Sequence, residues 1–452
     1  MALHSDASPP VRARAPAHLD VSATPPRVLG FWAAVSIVMG NMIGSGVFLL
    51  PASLAAYRGL SLLGWAVSAA GAVLLALVFA RLARQLPATG GLYAYTRAAF
   101  GDFAGFFVAW GYWLSTVGTL AALAVAFVGY LDPFIPAIVR APGAAAVLAI
   151  ATVWLVVGVN IAGVGLAGRV QIITTALKLL PLAVVGLGGL FYFQADAFSM
   201  PSTATTPMGT QLLTVVTLTL WAFLGLETAT IPAGSVRDPA RTIPLATIVG
   251  TVVTAIIYIV STLGVMSLVA PDALATSTAP FADAAGRLLG SAGGQIVAAG
   301  AAISCFGALN GWTLMAGQLP MAAAADGLFP SIFGQLSARG TPARGMIVAG
   351  LLATALVAMN YSRGLVALFT FIILLCTLST LVPYVFCSLA VWLMPGQARP
   401  RGGAALVSAL AFVYAMFAIG GAGEETVFYG FLLLLAGLPV YVWLRRGATS
   451  LA

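Results

Sequence analysis

Charge is what this sequence has least of. Only 7% of its 452 residues are charged, against about a quarter in a soluble domain, so water cannot be the main solvent of the folded chain. Lysine is almost missing: Lys178 stands alone, and every other basic side chain is arginine. Histidine is confined to His4 and His18 near the N-terminus, which leaves the rest of the chain without a His-containing catalytic triad or an HExxH metal pair. Cysteine is scarce too. Cys305, Cys376 and Cys387 all fall in apolar stretches and form no CxxC pattern, so neither a disulfide framework nor a metal centre is expected. No GxxxxGK phosphate loop occurs. These absences argue against an enzyme and against a metal or cofactor. The net charge of +8 does not point to nucleic acid, because the arginines are scattered through short loops and are not gathered on one face. Repeated polar or carbonyl-lined pore segments, which a channel would need, are also missing, so a channel stays a distant alternative.

What the chain has instead is apolar length. It is 61% hydrophobic, and stretches long enough for a bilayer core, about 20 residues each, recur from Leu29 to Trp443. The spans read as 30–56, 62–83, 103–131, 143–164, 168–193, 211–234, 243–269, 295–320, 343–360, 364–394, 403–420 and 425–444. Residues 1–28 are rich in Pro, Ala and Arg and lack the apolar run of a signal peptide; they read as a disordered cytosolic tail. Twelve spans put both termini on one side. Sorted that way, the loops opposite the termini hold only Arg58, Arg140, Arg287 and Arg363, while the remaining arginines lie on the side of the termini. The positive-inside rule then makes both termini cytoplasmic. The expected fold is all-α, a twelve-span helical membrane protein.

Two spans are interrupted. The first carries Gly40-Asn41-Met42-Ile43-Gly44-Ser45-Gly46, and the sixth reads Trp221-Ala222-Phe223-Leu224-Gly225-Leu226-Glu227. Irregular backbone at membrane depth is tolerated only inside protein or beside a polar cavity. Breaks at matching positions of two halves point to a 5+5 inverted repeat with a midplane site. Residues 29–193 would be the first repeat, 211–394 the second, and 403–444 two further spans. In the first break the N–H groups of Ser45, Gly46 and Val47 open a half-helix, where unpaired donors and the helix dipole favour an anion such as a carboxylate. Carbonyls near Met42, Trp221 and Leu224 end the preceding half-helices and could accept from an amino group. Together they describe an α-amino acid head group. The competing reading is that the glycines only let helices pack closely.

Ionisable residues inside a membrane are functional candidates by default, and two qualify: Lys178 in the fifth span and Glu227 in the sixth. Arginine stays charged, but a buried lysine can release its proton, so Lys178 is either a proton-coupling group or a fixed cation against the carbonyls of the first break. Glu227 is either a gating or protonating carboxyl or a structural partner in an ion pair or hydrogen bond. Trp221 and Trp312 are core aromatics or lids that close over a substrate and can face a cation. Tyr93, Tyr95, Tyr112 and Tyr384 are weaker candidates.

Beyond these readings, Gly40 to Pro51 resembles the first span of amino acid–polyamine–organocation superfamily transporters. Gly90-Gly91-Leu92-Tyr93-Ala94-Tyr95, Leu220 to Glu227, Gly311-Trp312-Thr313, Asp326-Gly327-Leu328-Phe329-Pro330 and Thr380-Leu381-Val382-Pro383-Tyr384 resemble, in order and spacing, the arginine/agmatine antiporter branch of that superfamily. The resemblance covers nearly everything after residue 28. It implies the inverted-repeat fold, often a homodimer, and substrate contacts along Asn41, Met42, Ile43, Gly44, Ser45 and Gly46. It further implies Trp221 as outer gate, Trp312 as middle gate, Tyr93 as a pH-responsive residue and Glu227 as an electrostatic partner in the cycle. Tyr384 and Cys376 fall in the matching tenth span.

Two positions depart from that branch. Counting back without a gap from Gly129-Tyr130-Leu131, an asparagine that helps place a guanidinium corresponds to Leu120, and a nearby methionine to Leu123. The side-chain subsite becomes more apolar, although Ser115 and Thr116 could still receive a cationic tip. Lys178 replaces a small apolar residue and resembles the span-five lysine of proton-coupled amino acid transporters in the superfamily. The expected function is secondary active amino acid transport by alternating access, as a permease or antiporter. Arginine/agmatine or other amino acid/polyamine exchange in acid resistance is the alternative, and Leu120 and Lys178 lean toward neutral amino acids. The expected partners are an amino acid or amine and the lipid bilayer, without nucleic acid.

Overall fold

A computed structural model describes residues 26–141, 143–193, 195–199, 207–360, 365–421 and 423–449, the side chains of 196–197, 359–377, 426 and 447–449 excepted. Among these the architecture is entirely helical, with no strand and only an isolated parallel bridge between Leu29 and Val236. The helices are α1 (Phe31–Met42), α2 (Gly46–Ala55), α3 (Leu60–Gln85), α4 (Leu92–Phe100), α5 (Asp102–Tyr130), α6 (Pro136–Val139), α7 (Ala144–Ala162), α8 (Val164–Leu190) and α9 (Met208–Trp221). They continue as α10 (Pro239–Leu268), α11 (Pro271–Ala275), α12 (Pro280–Leu289), α13 (Ser291–Ala325), α14 (Ala343–Asn360), α15 (Leu365–Leu393), α16 (Gly403–Gly421), α17 (Glu424–Leu435) and α18 (Leu438–Thr449).

Apolar composition makes these segments helical, because a backbone out of reach of water must satisfy its own hydrogen bonds. Among the described residues, eight helices are long and apolar enough to cross a membrane; α1 and α2, bent by 42°, would together be a ninth, and Met208–Trp221, Ala343–Ala358 and Leu378–Leu393 are shorter apolar helices. Large apolar side chains such as Leu155, Leu180 and Val413 point outward, the reverse of a soluble surface.

Where the sequence interrupts its apolar runs, the helix stops. The stretch expected as one span at 211–234 is helical only as far as Trp221, and turns and 3-10 segments carry the chain on to Ser235. Gly225 lies at φ +105, a conformation that L side chains rarely adopt, and it fixes this break. The centre of the molecule is α5 and α13, which pack along one another. Around them stand α15, α8 and α1, with α10 holding α1 and α8 on its other side.

Candidate substrate-binding site

At the first break, α1 ends at Met42 and α2 starts at Gly46, so the last carbonyls of one half-helix and the first N–H groups of the next have lost their helical partners. Other helices supply partners for the carbonyls. Lys178, completely buried on α8, donates from Nζ to Gly40 O at 2.8 Å and to Ile43 O at 2.5 Å. Ser304 on α13 lies 2.9 Å from Ile43 O and 3.0 Å from Gly44 O. One turn and two turns before Lys178, Thr175 and Gln171 both donate to Ser36 O, so one polar stripe of α8 follows α1 into its break. The N–H groups at Ser45, Gly46 and Val47 begin α2, the end of a helix that attracts negative charge.

The second break is pressed against the first. A Cβ added to Gly225 would come within 3.2 Å of Asn41, which leaves glycine as the residue that fits. Tyr258 of α10 joins the two: its hydroxyl is 2.7 Å from Met42 O and 2.9 Å from Ala222 O, with one proton to offer between them. Beyond Gly225, the buried Glu227 carboxylate accepts from the Tyr112 hydroxyl on one oxygen and from the Tyr384 hydroxyl on the other. Tyr384 in turn accepts from the Gly225 N–H at 3.4 Å.

Both breaks open on one cavity of about 70 Å³. Asn41, Met42, Gly44, Ser45, Gly46 and Val47 line it from the first break, Trp221, Ala222 and Leu224 from the second, and Thr119, Ala122, Leu123, Trp312 and Thr380 from the helices between. The Trp221 ring comes so close to Gly46 that a Cβ there would fall 1.8 Å from the ring, so only glycine permits the contact. Trp312 donates its indole N–H to Asn41 O at 3.3 Å. The Asn41 carboxamide is buried at the cavity and neither its oxygen nor its nitrogen has a protein partner. A second, wider cavity of about 610 Å³ meets the first at Ser45 and reaches out past Tyr130 to Asp132 and Gln295. Tyr130 stands at the join, its hydroxyl 3.5 Å from Ser45 O.

The family model described as amino acid permease matches residues 29–441. The chain belongs to the amino acid permease family. A cadaverine/lysine antiporter of Escherichia coli K12 is 33% identical over 422 residues, which cover 91% of this chain and 94% of that protein. A putrescine transporter PotE of Haemophilus influenzae is 30% identical over 410 residues, 90% of this chain and 94% of its own. As a member of the amino acid–polyamine–organocation group, this permease is a multi-pass membrane transporter and not an enzyme.

In this permease, the residues that the sequence singled out are distributed unevenly. Asn41, Met42, Gly44, Ser45, Gly46, Trp221, Leu224 and Trp312 meet at the cavity, and Ile43 turns its carbonyl to Lys178 and Ser304. On α5 the lining face is Thr119, Ala122 and Leu123, not Ser115, Thr116 and Leu120. Leu120 is fully buried and outside the lining, as expected for a residue about 100° around the helix from Thr119. Ser115 pairs with Thr380 at 3.1 Å, and Thr116 donates back to Tyr112 O. The Cys376 side chain lies outside the described residues. Tyr112 and Tyr384, not Tyr93, reach Glu227.

Tyr93 instead belongs to the end of the permease that carries its first residues. It donates to Asp326 at 2.8 Å, and burial, followed by the nearby Asp326 charge, pushes its phenol well above the ordinary value. Arg97 bridges Asp326 and Asp102 at 2.8 Å each, and Arg445 of α18 adds a 2.5 Å contact to Asp102. Backbone bonds from Leu29 to Ser235, from Arg237 to Leu29 and from Gly90 to Ile231 close the same end. The opposite end has the wide cavity and an exposed Arg140–Asp132 pair. Nothing in the sequence marks Tyr258 or Ser304, because a lone hydroxyl in an apolar helix carries no local sign of the carbonyl it will meet.

Proposed function

We propose that this permease carries amino acids across the inner membrane by alternating access, with the head group held between the two helix breaks. The substrate carboxylate sits on the N–H groups of Ser45 and Gly46, and its amino group beside the Met42, Trp221 and Leu224 carbonyls at the ends of the half-helices, with Asn41, Ile43 and Gly44 shaping the turn. The observation that carries this reading is that both breaks open on one cavity containing an anion-favouring helix start and a buried, unpartnered Asn41 amide. Trp221 serves as the gate toward the wide cavity and Trp312 as the floor beneath the substrate, with Glu227 and Tyr384 tying the second break to α15 as the cycle proceeds. Ser115, Thr116 and Leu120 act, in this reading, behind the lining rather than on the substrate, and Cys376 of the tenth span is a further proposed substrate contact.

The frame for this cycle is twelve spans, with 29–193 and 211–394 as inverted repeats, 403–444 as an added pair, 1–28 as a cytosolic tail, and both termini in the cytoplasm on the strength of the arginine bias. The tightly bonded end would then be the closed cytoplasmic gate, with Tyr93, bonded there to Asp326, as the candidate pH-responsive residue. A homodimer in the lipid bilayer is the assembly proposed. Lys178 couples transport to protons or holds the break as a fixed cation; its two carbonyl contacts support a direct hold on α1 in either case.

A second reading, exchange of an amino acid for its decarboxylated amine, arginine/agmatine among them, is favoured by the names of the cadaverine/lysine and putrescine relatives. Uptake of labelled amino acids and amines into proteoliposomes, with and without a pH gradient and internal substrate, separates the readings. Uptake driven by the gradient alone means symport, and uptake that requires internal substrate means exchange. If nothing in the panel accumulates or counterflows, the proposal is wrong.

A further inference from the structure

The head group accounts for only one wall of the cavity. The far wall, formed by Thr119, Ala122, Leu123 and Thr380, must face whatever the substrate carries beyond its α-carbon. Among the described residues, nothing on that wall is charged.

Nor can a charge reach it from behind. The chain has 12 acidic residues, and of these only Glu227 lies away from the tail, the loops and the helix ends. Glu227 does not line the cavity, and each of its oxygens already accepts from a tyrosine, Tyr112 or Tyr384. Residues 359–377 contain no Asp or Glu, so the tenth span has no carboxylate to add there. The buried cation Lys178 lies behind the first break with its ammonium on Gly40 and Ile43, so its field opposes a second positive charge. The Trp312 ring can attract a cation, but that attraction is weaker than the desolvation of an ammonium left without a counter-charge. Two threonine hydroxyls, of which Thr119 already donates to Ser115 O, do not make up the difference.

We infer that the substrate is a zwitterionic amino acid with an uncharged side chain, and that this permease excludes diamines and cationic amino acids. This rests on the head-group reading above and parts from the relatives whose names carry cadaverine, lysine and putrescine. A shared fold and about one-third identity do not fix cargo, because the far wall is set by a handful of side chains.

The test is counterflow in proteoliposomes of the full chain, each batch preloaded with one of the twenty amino acids, cadaverine or putrescine, and assayed for uptake of the same labelled compound. The expected result is exchange of one or more neutral amino acids. Lysine, arginine, cadaverine and putrescine should compete about a hundredfold more weakly, the penalty of an unpaired buried charge. Equal or better exchange of lysine, arginine, aspartate or glutamate overturns the inference and leaves the head-group reading standing, whereas equal or better exchange of cadaverine or putrescine, which lack a carboxylate, overturns both. No exchange of any compound removes both. A second arm uses Leu123→Asp, which places a carboxylate on the far wall. Lysine or cadaverine should gain on the neutral substrate in a competition assay, and an unchanged ratio in a variant that still exchanges the neutral substrate counts against the assigned wall.

Discussion

At the first helix break, backbone carbonyls are met by a buried ammonium that comes from a different helix; at the second, a buried carboxylate is met by two phenols. Both are ionisable groups at membrane depth, yet they are held in opposite ways. Lys178 answers Gly40 and Ile43, two carbonyls that no helix can satisfy, so its charge closes the end of α1. Glu227 takes one donor per oxygen from Tyr112 and Tyr384, neutral groups on α5 and α15, so it ties three elements without a counter-ion. The first break thus depends on a charge and the second on a hydrogen-bond network. Losing the charge should therefore hurt more than losing one phenol.

The largest effect is expected for Lys178→Met, which keeps the bulk and removes every donor. Two charge-assisted bonds are lost and carbonyls are left buried, so the purified protein should be destabilised by about 3 kcal/mol or more in thermal melts. Uptake should fall by about tenfold or more and become flat from about pH 5 to pH 8 if the amine carries the coupling proton. Parent-like stability and pH response would erase the contrast between the breaks. Gly225→Ala comes next. It forces a β-carbon into a left-handed position within 3.2 Å of Asn41, for a cost of about 1–3 kcal/mol and a matching loss of uptake. Tyr384→Phe should cost about 1–2 kcal/mol by leaving one Glu227 oxygen without its donor. Combining it with Tyr112→Phe in a double-mutant cycle should give non-additive losses, since both act on one carboxylate.

The smallest effect is expected at the rim. Arg140 hydrogen-bonds to the exposed Asp132 and holds its carboxyl below the ordinary carboxylate range. A depressed folded value means that the pair contributes above the unfolded value and stops contributing as pH falls through the folded one. Asp132→Asn should therefore lower melting only slightly at neutral pH, because the pair is exposed and screened, with uptake close to the parent's, and the difference should fade as the pH falls through the depressed folded value. A large loss at neutral pH would mean that the rim, and not the breaks, controls transport.

How much of this was legible in the sequence follows the same division. The first break announced itself, because Gly40, Gly44 and Gly46 with Asn41 and Ser45 are out of place in an apolar span. Lys178 was conspicuous as the only lysine, and its proximity to the first span was a matter of composition: a lone cation at that depth needs carbonyls. The far wall was harder to read. A gapless count puts Leu120 and Leu123 there; Leu123 lines the cavity with Thr119 and Ala122, whereas Leu120, about 100° around the helix from Thr119, does not. Likewise Tyr93 and Tyr112 look alike in one dimension, and only packing sends one to Asp326 and the other to Glu227. Tyr258 and Ser304 gave no sign, because a hydroxyl's carbonyl partner on another helix is set by the crossing of helices and not by neighbours in the chain.

Everything proposed for the breaks turns on whether the start of α2 holds a substrate carboxylate. The most direct measurement compares binding, by calorimetry on the purified protein, of a neutral L-amino acid that exchanges in the counterflow panel with binding of its methyl ester, which keeps the amine and side chain and removes the negative charge. The account predicts that the ester binds about a hundredfold more weakly. Equal affinity for the two would contradict it.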